Sequence, residues 1–333
     1  PWDVGPGGYQ LGHHPPGFAE WNDKFRDCVR RFWRGDAGMR AELAARIAGS
    51  AELFRHRFRR PWASINYVAS HDGFTLADVV SYEHKHNEAN GENNADGHNE
   101  NCSSNWDIEG PTDTPSIEET RRRVLLSMLA SLFTSLGTPM LAAGDEFGRT
   151  QRGNNNAYCQ DNEISWLDWR EANSASARSL TSFVTRLIAL RKHHPLLRDP
   201  QFLHGEREVV PGIDEVGWFD ESGTPLTSEV WQDPEGRTLM LRRAGAALDG
   251  SIEVLLLMHN AANTSVCFTP PPPHLEWNVL ADTTKPDLEL HPLAGETLEI
   301  GAHGFAVLVA RLPDEQRDHH PAETSAGLSR PSC

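Results

Sequence analysis

A chain of 333 residues with 47 acidic and 31 basic side chains, net charge −16, has material for roughly two domains and repels nucleic acids and anionic membrane surfaces. No run reaches the apolar length of a membrane span and no signal-peptide pattern is present; five widely spaced cysteines, an odd count without a C-x-x-C pair, point to reduced thiols in a cytoplasmic compartment rather than to disulfides or zinc. Ten Trp and four Tyr beside abundant Asn, Asp and His suit sugar binding, where aromatic faces stack on rings and short polar groups bond hydroxyls, although each aromatic fits an ordinary core or surface role equally well.

In chain order, the opening Pro1-Trp2-Asp3-Val4-Gly5-Pro6-Gly7-Gly8-Tyr9-Gln10 has neither Met nor leader and reads as a cut chain. The amphipathic run Glu20 to Trp33 fits strand and helix alike. Leu43, Ile47 and Phe54 stand at helical spacing within Met39 to Phe54, and after Pro61 the run Ile65-Asn66-Tyr67-Val68-Ala69-Ser70 predicts a buried strand ending in His71-Asp72-Gly73. In a parallel α/β barrel, strand tips carry the chemistry, so Asp72 is the first catalytic candidate. The same pattern also fits a carboxylate that caps a helix or turns the chain. His71 favours the catalytic reading, because a buried His and Asp at a barrel mouth can bond neighbouring sugar hydroxyls while a carboxylate stabilises an oxocarbenium charge.

From Ser81 to Thr114 the chain is almost wholly polar, a length that is either functional or disordered. Its histidines lack regular ligand spacing, so a solvated loop is favoured over a metal site. Pro115 precedes a capping box, Ser116-Ile117-Glu118-Glu119, and a helix with Val124, Leu125, Met128, Leu129, Leu132, Phe133 and Leu136 on one face, stopped by Gly137. Thr138 to Gly144 predicts a second short buried strand, again ending in acids. Asp145 and Glu146, as neighbours, point to opposite sides and do not flank one bond; they belong to structure or a pocket wall.

Gly153 to Asn162 leaves that strand on the same face as Asp72, dense in amides around Tyr158, which suits hydroxyl recognition or simply turns. A helix with Leu180, Phe183, Val184, Leu187 and Ile188 on one stripe ends in Arg191-Lys192-His193-His194 before Pro195. This alternation predicts parallel right-handed crossovers. After about Leu203, short runs at 216–219, 238–241, 254–258, 277–280 and 305–309 predict a small β-sandwich, with Pro270 to Pro273 in an exposed loop or edge. From Pro313 the polar tail reads as disordered.

The stretches Asn66 to Leu76, Lys85 to Glu92, Gly137-Thr138-Pro139-Met140-Leu141, Gly144-Asp145-Glu146 and the Asn-rich segment through Trp166-Leu167-Asp168-Trp169 resemble the glycogen debranching enzymes of the α-amylase superfamily, close to isoamylase. The match runs from Pro1 to about Leu197; the segment beyond resembles that family only in texture. The resemblance implies retaining hydrolysis of α-1,6 branch links in glycogen or limit dextrin. It also implies an α/β fold in which residues 1–200 form the C-terminal part of a (β/α)8 TIM barrel and residues 201–312 an all-β sandwich domain, with 313–333 as tail.

In the family a nucleophilic Asp ends the fourth strand, a general-acid Glu the fifth and a third Asp the seventh; Asp72 matches the third, the transition-state stabiliser. Pro1-Trp2-Asp3 matches the end of a Glu-Pro-Trp-Asp motif, which places the acid immediately before position 1 and the nucleophile further upstream. The chain alone is then expected to be inactive, since retaining hydrolysis needs two carboxyls about 5 Å apart. Its isolated stability is in question too, because half a barrel leaves raw sheet edges. His71, Trp2, Tyr9, Asn155 and Tyr158 are the expected substrate contacts, a branched α-glucan the partner, with no metal or cofactor. Glu83, where the family has a polar amide, and Ser103-Ser104-Asn105-Trp106-Asp107 depart from the family pattern. Alternatives are an isoamylase or trehalose-pathway hydrolase and, in another class, a non-catalytic α-glucan-binding protein.

Overall fold

The computed structural model describes residues 7–312 apart from Glu206 and Leu288; Trp2 and the tail from Pro313 lie outside the described residues. The run Glu20 to Trp33 is both strand and helix: β1 (Glu20–Asn22) passes directly into α1 (Asp23–Arg34). Asn22 makes the switch, its Oδ1 accepting the Phe25 N–H at 3.0 Å as a helix cap, and α1 stops at Gly35 with φ +90°.

The expected helix from Met39 to Phe54 is broken into α2 (Arg40–Ile47) and α3 (Ala51–Phe54). Gly49 (φ +95°) and Ser50 (φ +54°) turn the chain between them. Periodicity could not show the break, since Phe54 falls on the same apolar side. The expected strand is also shorter: β2 spans Ser64–Asn66, and Tyr67 to Ser70 continue without ladder partners.

α4 (Leu76–Val79) follows the His71-Asp72 turn, then α5 (Pro115–Thr134), β3 (Thr138–Pro139) and α6 (Ala175–His193). The capping box is not formed. Pro115 takes the first helical position, Ser116 lies inside the helix, and Thr114 gives no side-chain cap. β1, β2 and β3 form a parallel sheet in that order. With so few ladder bonds, side chains hold it together. Asn22 Nδ2 donates to Ser50 Oγ (3.0 Å) and Ser64 Oγ (2.9 Å), Ser64 Oγ to Asn66 Oδ1 (2.7 Å), and Asn66 Nδ2 to the Leu136 carbonyl (2.8 Å). All of these side chains are buried, where an unmade bond costs more than a made one gains.

The second region contains β4 (Glu208–Val210), β5 (Ile213–Asp214), β6 (Val216–Phe219), α7 (Ser228–Gln232), β7 (Thr238–Ala246), β8 (Ile252–Asn260), β9 (Val266–Phe268), β10 (Asn278–Asp282), β11 (His291–Pro292), β12 (Leu298–Ile300) and β13 (Gly304–Leu312). One antiparallel sheet runs β11-β10-β13-β8-β7-β6, beside the ribbons β12-β9 and β4-β5. Every strand expected from the alternating runs is in the large sheet. The sheet is buried on both faces, which is why β7 and β8 read as near-continuous apolar runs. Met240, Leu256, Met258 and Leu308 pack against Phe268 and Ile300 on one side. Leu239, Leu257, Phe305 and Val307 join Phe32, Trp33 and Leu129 on the other.

One core therefore spans the two regions. At its centre the buried His259 ring lies 4.8 Å from Phe305, 6.1 Å from Trp33 and 6.3 Å from Phe32. Burial lowers its pKa to about 4. Among the described residues no helix is long and apolar enough to cross a membrane.

Candidate active site

β2 and β3 run side by side in the same direction, so the segments leaving their C-terminal ends meet. Ser70, His71, Asp72 and Thr75 from one segment and Met140, Leu141, Ala142, Ala143 and Asp145 from the other wall a cavity of about 460 Å³, closed further by Trp21 of β1 and by Tyr158. Between β2 and the cavity the chain has no ladder to guide it, and the buried Arg30 does so instead. Its Nε donates to the Val68 carbonyl and its Nη1 to that of Asn101, both at 2.8 Å; burial lowers its pKa to about 10.

His71 and Asp72 stand not at the strand tip expected from the sequence but on the segment beyond it, five and six residues past Asn66, and they are exposed rather than buried, their side chains 69 % and 58 % accessible. His71 Nε2 lies 3.4 Å from Asp72 Oδ2, and its ring meets Trp21 edge-on at 5.5 Å. Trp21 in turn lies 5.7 Å from the Tyr67 ring. The turn is fixed by Ser70 Oγ donating to the Asp72 carbonyl (3.0 Å) and by the Gly73 N–H donating to the Asn155 carbonyl (2.9 Å). Gly73 adopts φ +94°, a conformation glycine supplies cheaply.

Behind the tip Asp145 also borders the cavity, 2 % exposed, its Oδ1 accepting the Leu76 N–H at 3.1 Å. Burial pushes its pKa up to about 7, against the opposing pull of that N–H and of Arg149. Glu146 accepts the Gly144 N–H at 2.8 Å and, unlike Asp145, does not border the cavity. Asp78 behind them is likewise raised by burial, bonded to Thr150 Oγ1 and the Gln151 N–H.

The other expected contacts fare differently. Tyr158 lines the cavity, 73 % exposed, its hydroxyl donating to Glu92 at 3.2 Å. Asn155 is 2 % exposed and its amide is fully engaged: Oδ1 accepts from Asn87 Nδ2 (2.9 Å), while Nδ2 donates to the His98 carbonyl and Asn101 Oδ1 (both 2.8 Å). It positions the Asp72 turn through its own carbonyl instead of facing a sugar. Tyr9 lies outside the cavity lining, its hydroxyl donating to Asp23, which together with burial raises the tyrosine pKa. Trp21, which the sequence reading missed, was hidden in a run whose secondary structure was ambiguous.

The long polar loop is ordered by clasping the Asn-rich segment. Besides the Asn87–Asn155 pair, Asn90 Nδ2 donates to the Asn156 carbonyl (2.9 Å) and Asn154 Nδ2 to Asn90 Oδ1 (2.9 Å). Lys85 Nζ donates to the Asp96 carbonyl at 2.7 Å. Glu109 gathers the loop's other end. Partial burial alone would raise its pKa, but the N–H groups of Glu83 and His84, with His86 and Asn105, hold it down at about 2.

No family model matches the chain. It is 42 % identical over 322 residues to a Mycobacterium tuberculosis protein described as a glycogen operon protein GlgX homolog, covering 92 % of this chain and 44 % of that one. It is 48 % identical over 231 residues to the glycogen debranching enzyme of Cronobacter sakazakii, covering 69 % and 34 % respectively. Among solved structures, type I pullulanase of Bacillus subtilis, crystallised with maltose, superposes with a TM-score of 0.62 at 23 % identity over 89 % of this chain and 36 % of that one. The chain thus spans less than half the length of each of these three proteins, and its fold, of mixed α/β content, is shared with the corresponding part of the pullulanase.

Proposed function

From a chain related to glycogen debranching enzymes over most of its own length, we infer a role in hydrolysing α-1,6 branch linkages of glycogen or limit dextrin. The observation that carries this reading is the placement of Asp72 and His71 on the segment that leaves the C-terminal end of the parallel strand β2, on an aromatic-walled cavity large enough for sugar rings. On this reading β1 to β3 and their helices are closing elements of a (β/α)8 barrel within residues 1–200, and the antiparallel sheet of 201–312 is a sandwich-like C-terminal domain. The site of action is the cytoplasm, where glycogen is stored.

Asp72 stabilises the oxocarbenium-like charge that builds as the glycosidic bond breaks, and His71 bonds a hydroxyl of the sugar being cleaved. Trp21 holds the His71 ring edge-on, and Tyr158 offers a flat face to a pyranose. Asp145 is engaged with Leu76 and orders the wall. The attacking carboxylate and the proton donor are, by the resemblance, supplied by a part of the relatives that this match does not include.

The test is reducing-end release from limit dextrin and from linear amylose by the full-length protein, with affinity electrophoresis in glycogen gels. Hydrolysis of limit dextrin alone supports the reading. Retention by glycogen without hydrolysis by the full-length protein would make this a glucan-binding protein instead.

A further inference from the structure

Two exposed indoles beside the active-site cavity are not part of it. Trp166 and Trp169, 60 % and 67 % exposed, border a second cavity of about 470 Å³. The two cavities are contiguous: Arg149 lines both, and Ser165, on the wall of the first, is followed directly by Trp166 on the wall of the second.

Both indoles are held in place. Trp166 Nε1 donates to Asp161 Oδ1 at 2.9 Å; the Trp169 ring packs 5.9 Å from Phe147, and its carbonyl accepts from Asn173 Nδ2 at 2.7 Å. Exposed, immobilised indoles are costly to hydrate, and no described residue covers these more fully. Glu163, Asp168 and Arg149 add charged hydrogen-bonding groups to the same walls. Flat apolar faces with acceptors and donors between them match a pyranose, whose C–H face stacks while its hydroxyl edge bonds. Nucleobases stack too, but their phosphates would meet Glu163, Asp168 and Glu171, which match Arg149, Arg152 and Arg170 in number on these walls, within a chain of net charge −16.

We propose that the Trp166–Trp169 cavity is an accessory α-glucan site, which holds the chain that continues past the branch point while the Asp72 cavity takes the branch itself. The assignment of the two chains rests on the debranching reading; the binding of a glucan between the indoles does not. Because the site lies outside the bond-breaking cavity, it acts on long substrates only.

Maltoheptaose binding, followed by tryptophan fluorescence and calorimetry on the full-length protein, tests the site directly. The Trp166→Ala/Trp169→Ala double variant is expected to bind it at least about tenfold more weakly, and Trp166→Phe/Trp169→Phe to recover most of the loss. In hydrolysis, the Ala double variant should raise KM for limit dextrin about tenfold with kcat unchanged, and leave a singly branched pentasaccharide within about twofold. Unchanged maltoheptaose binding overturns the proposal, as does an equal loss on the pentasaccharide or a failure of the Phe variant to recover. Binding that depends on both indoles in a protein that cleaves no α-1,6 bond upholds the site and removes the debranching role. Cleavage of limit dextrin that ignores both indoles does the reverse.

Discussion

The parallel region and the antiparallel sheet solve the same problem, fixing a backbone, by opposite means. β1, β2 and β3 have three, three and two residues, and their alignment depends on the buried amides and hydroxyls of Asn22, Ser64 and Asn66. β7, β8 and β13 have nine residues each and zip through unbroken ladders. The ladder region carries none of the candidate site residues. The side-chain-laced region spends its backbone on long loops, and those loops build the cavity. The contrast makes a clear division: changes at the loops should reach the rate, and changes in the sheet should reach stability.

The largest expected effect tests the first half of that division. Asp72→Asn in the full-length protein should lower kcat on limit dextrin about 10³-fold, the scale of losing one preorganised charge partner, with melting unchanged because the side chain is exposed. A near-normal rate would return Asp72 to a turn-forming role.

Leu256→Ala tests the other half. This side chain is wholly buried on the outer face of β8, so truncation should cost about 2–5 kcal/mol in denaturant melts while kcat at permissive temperature stays put. A loss of kcat with little loss of stability would mean that the sheet does shape the cavity. Next in size, Gly137→Ala should cost about 1–3 kcal/mol, since φ is +123° and a Cβ would stand 2.6 Å from Asn66 Nδ2. That penalty, read from melts, measures how much of the parallel sheet depends on the Asn66 bond.

The smallest effects separate the regions by pH. Asp145 has its pKa raised from 3.8 to about 7, so its contribution to stability is present below pH 4 and is lost as pH rises through 7. His259 is lowered from 6.5 to about 4, so its contribution is present above pH 6.5 and is lost as pH falls through 4. Thermal melts from pH 4 to 8 should therefore show Asp145→Asn gaining over the parent toward high pH and His259→Leu gaining toward low pH. Parallel profiles for the two variants would contradict the burial of one of them.

The sequence displayed the sheet more faithfully than the site. Runs such as Val254 to Met258 carry their strand signal within five residues, whereas the parallel strands are too short for any period to register. The place of Asp72 on a cavity wall was legible because a β-branched and aromatic run stops abruptly at His-Asp-Gly. Asn155 misled, because an amide in an Asn-rich loop looks alike whether it faces a sugar or, as here, Asn87 and Asn101. The break at Gly49-Ser50 has a similar origin: left-handed Ser50 is stabilised by Asn22, 28 residues away, and no local pattern encodes that bond.

The core shared between the helical layer and the sheet governs the order in which this chain can fold during synthesis. Trp33 and Phe32 leave the ribosome more than 200 residues before the His259 and Phe305 rings that complete their packing. Until β13 emerges and pairs with β8, α1 and α5 present an uncovered apolar face, so the nascent chain passes through a long interval of exposure to chaperones and to self-association.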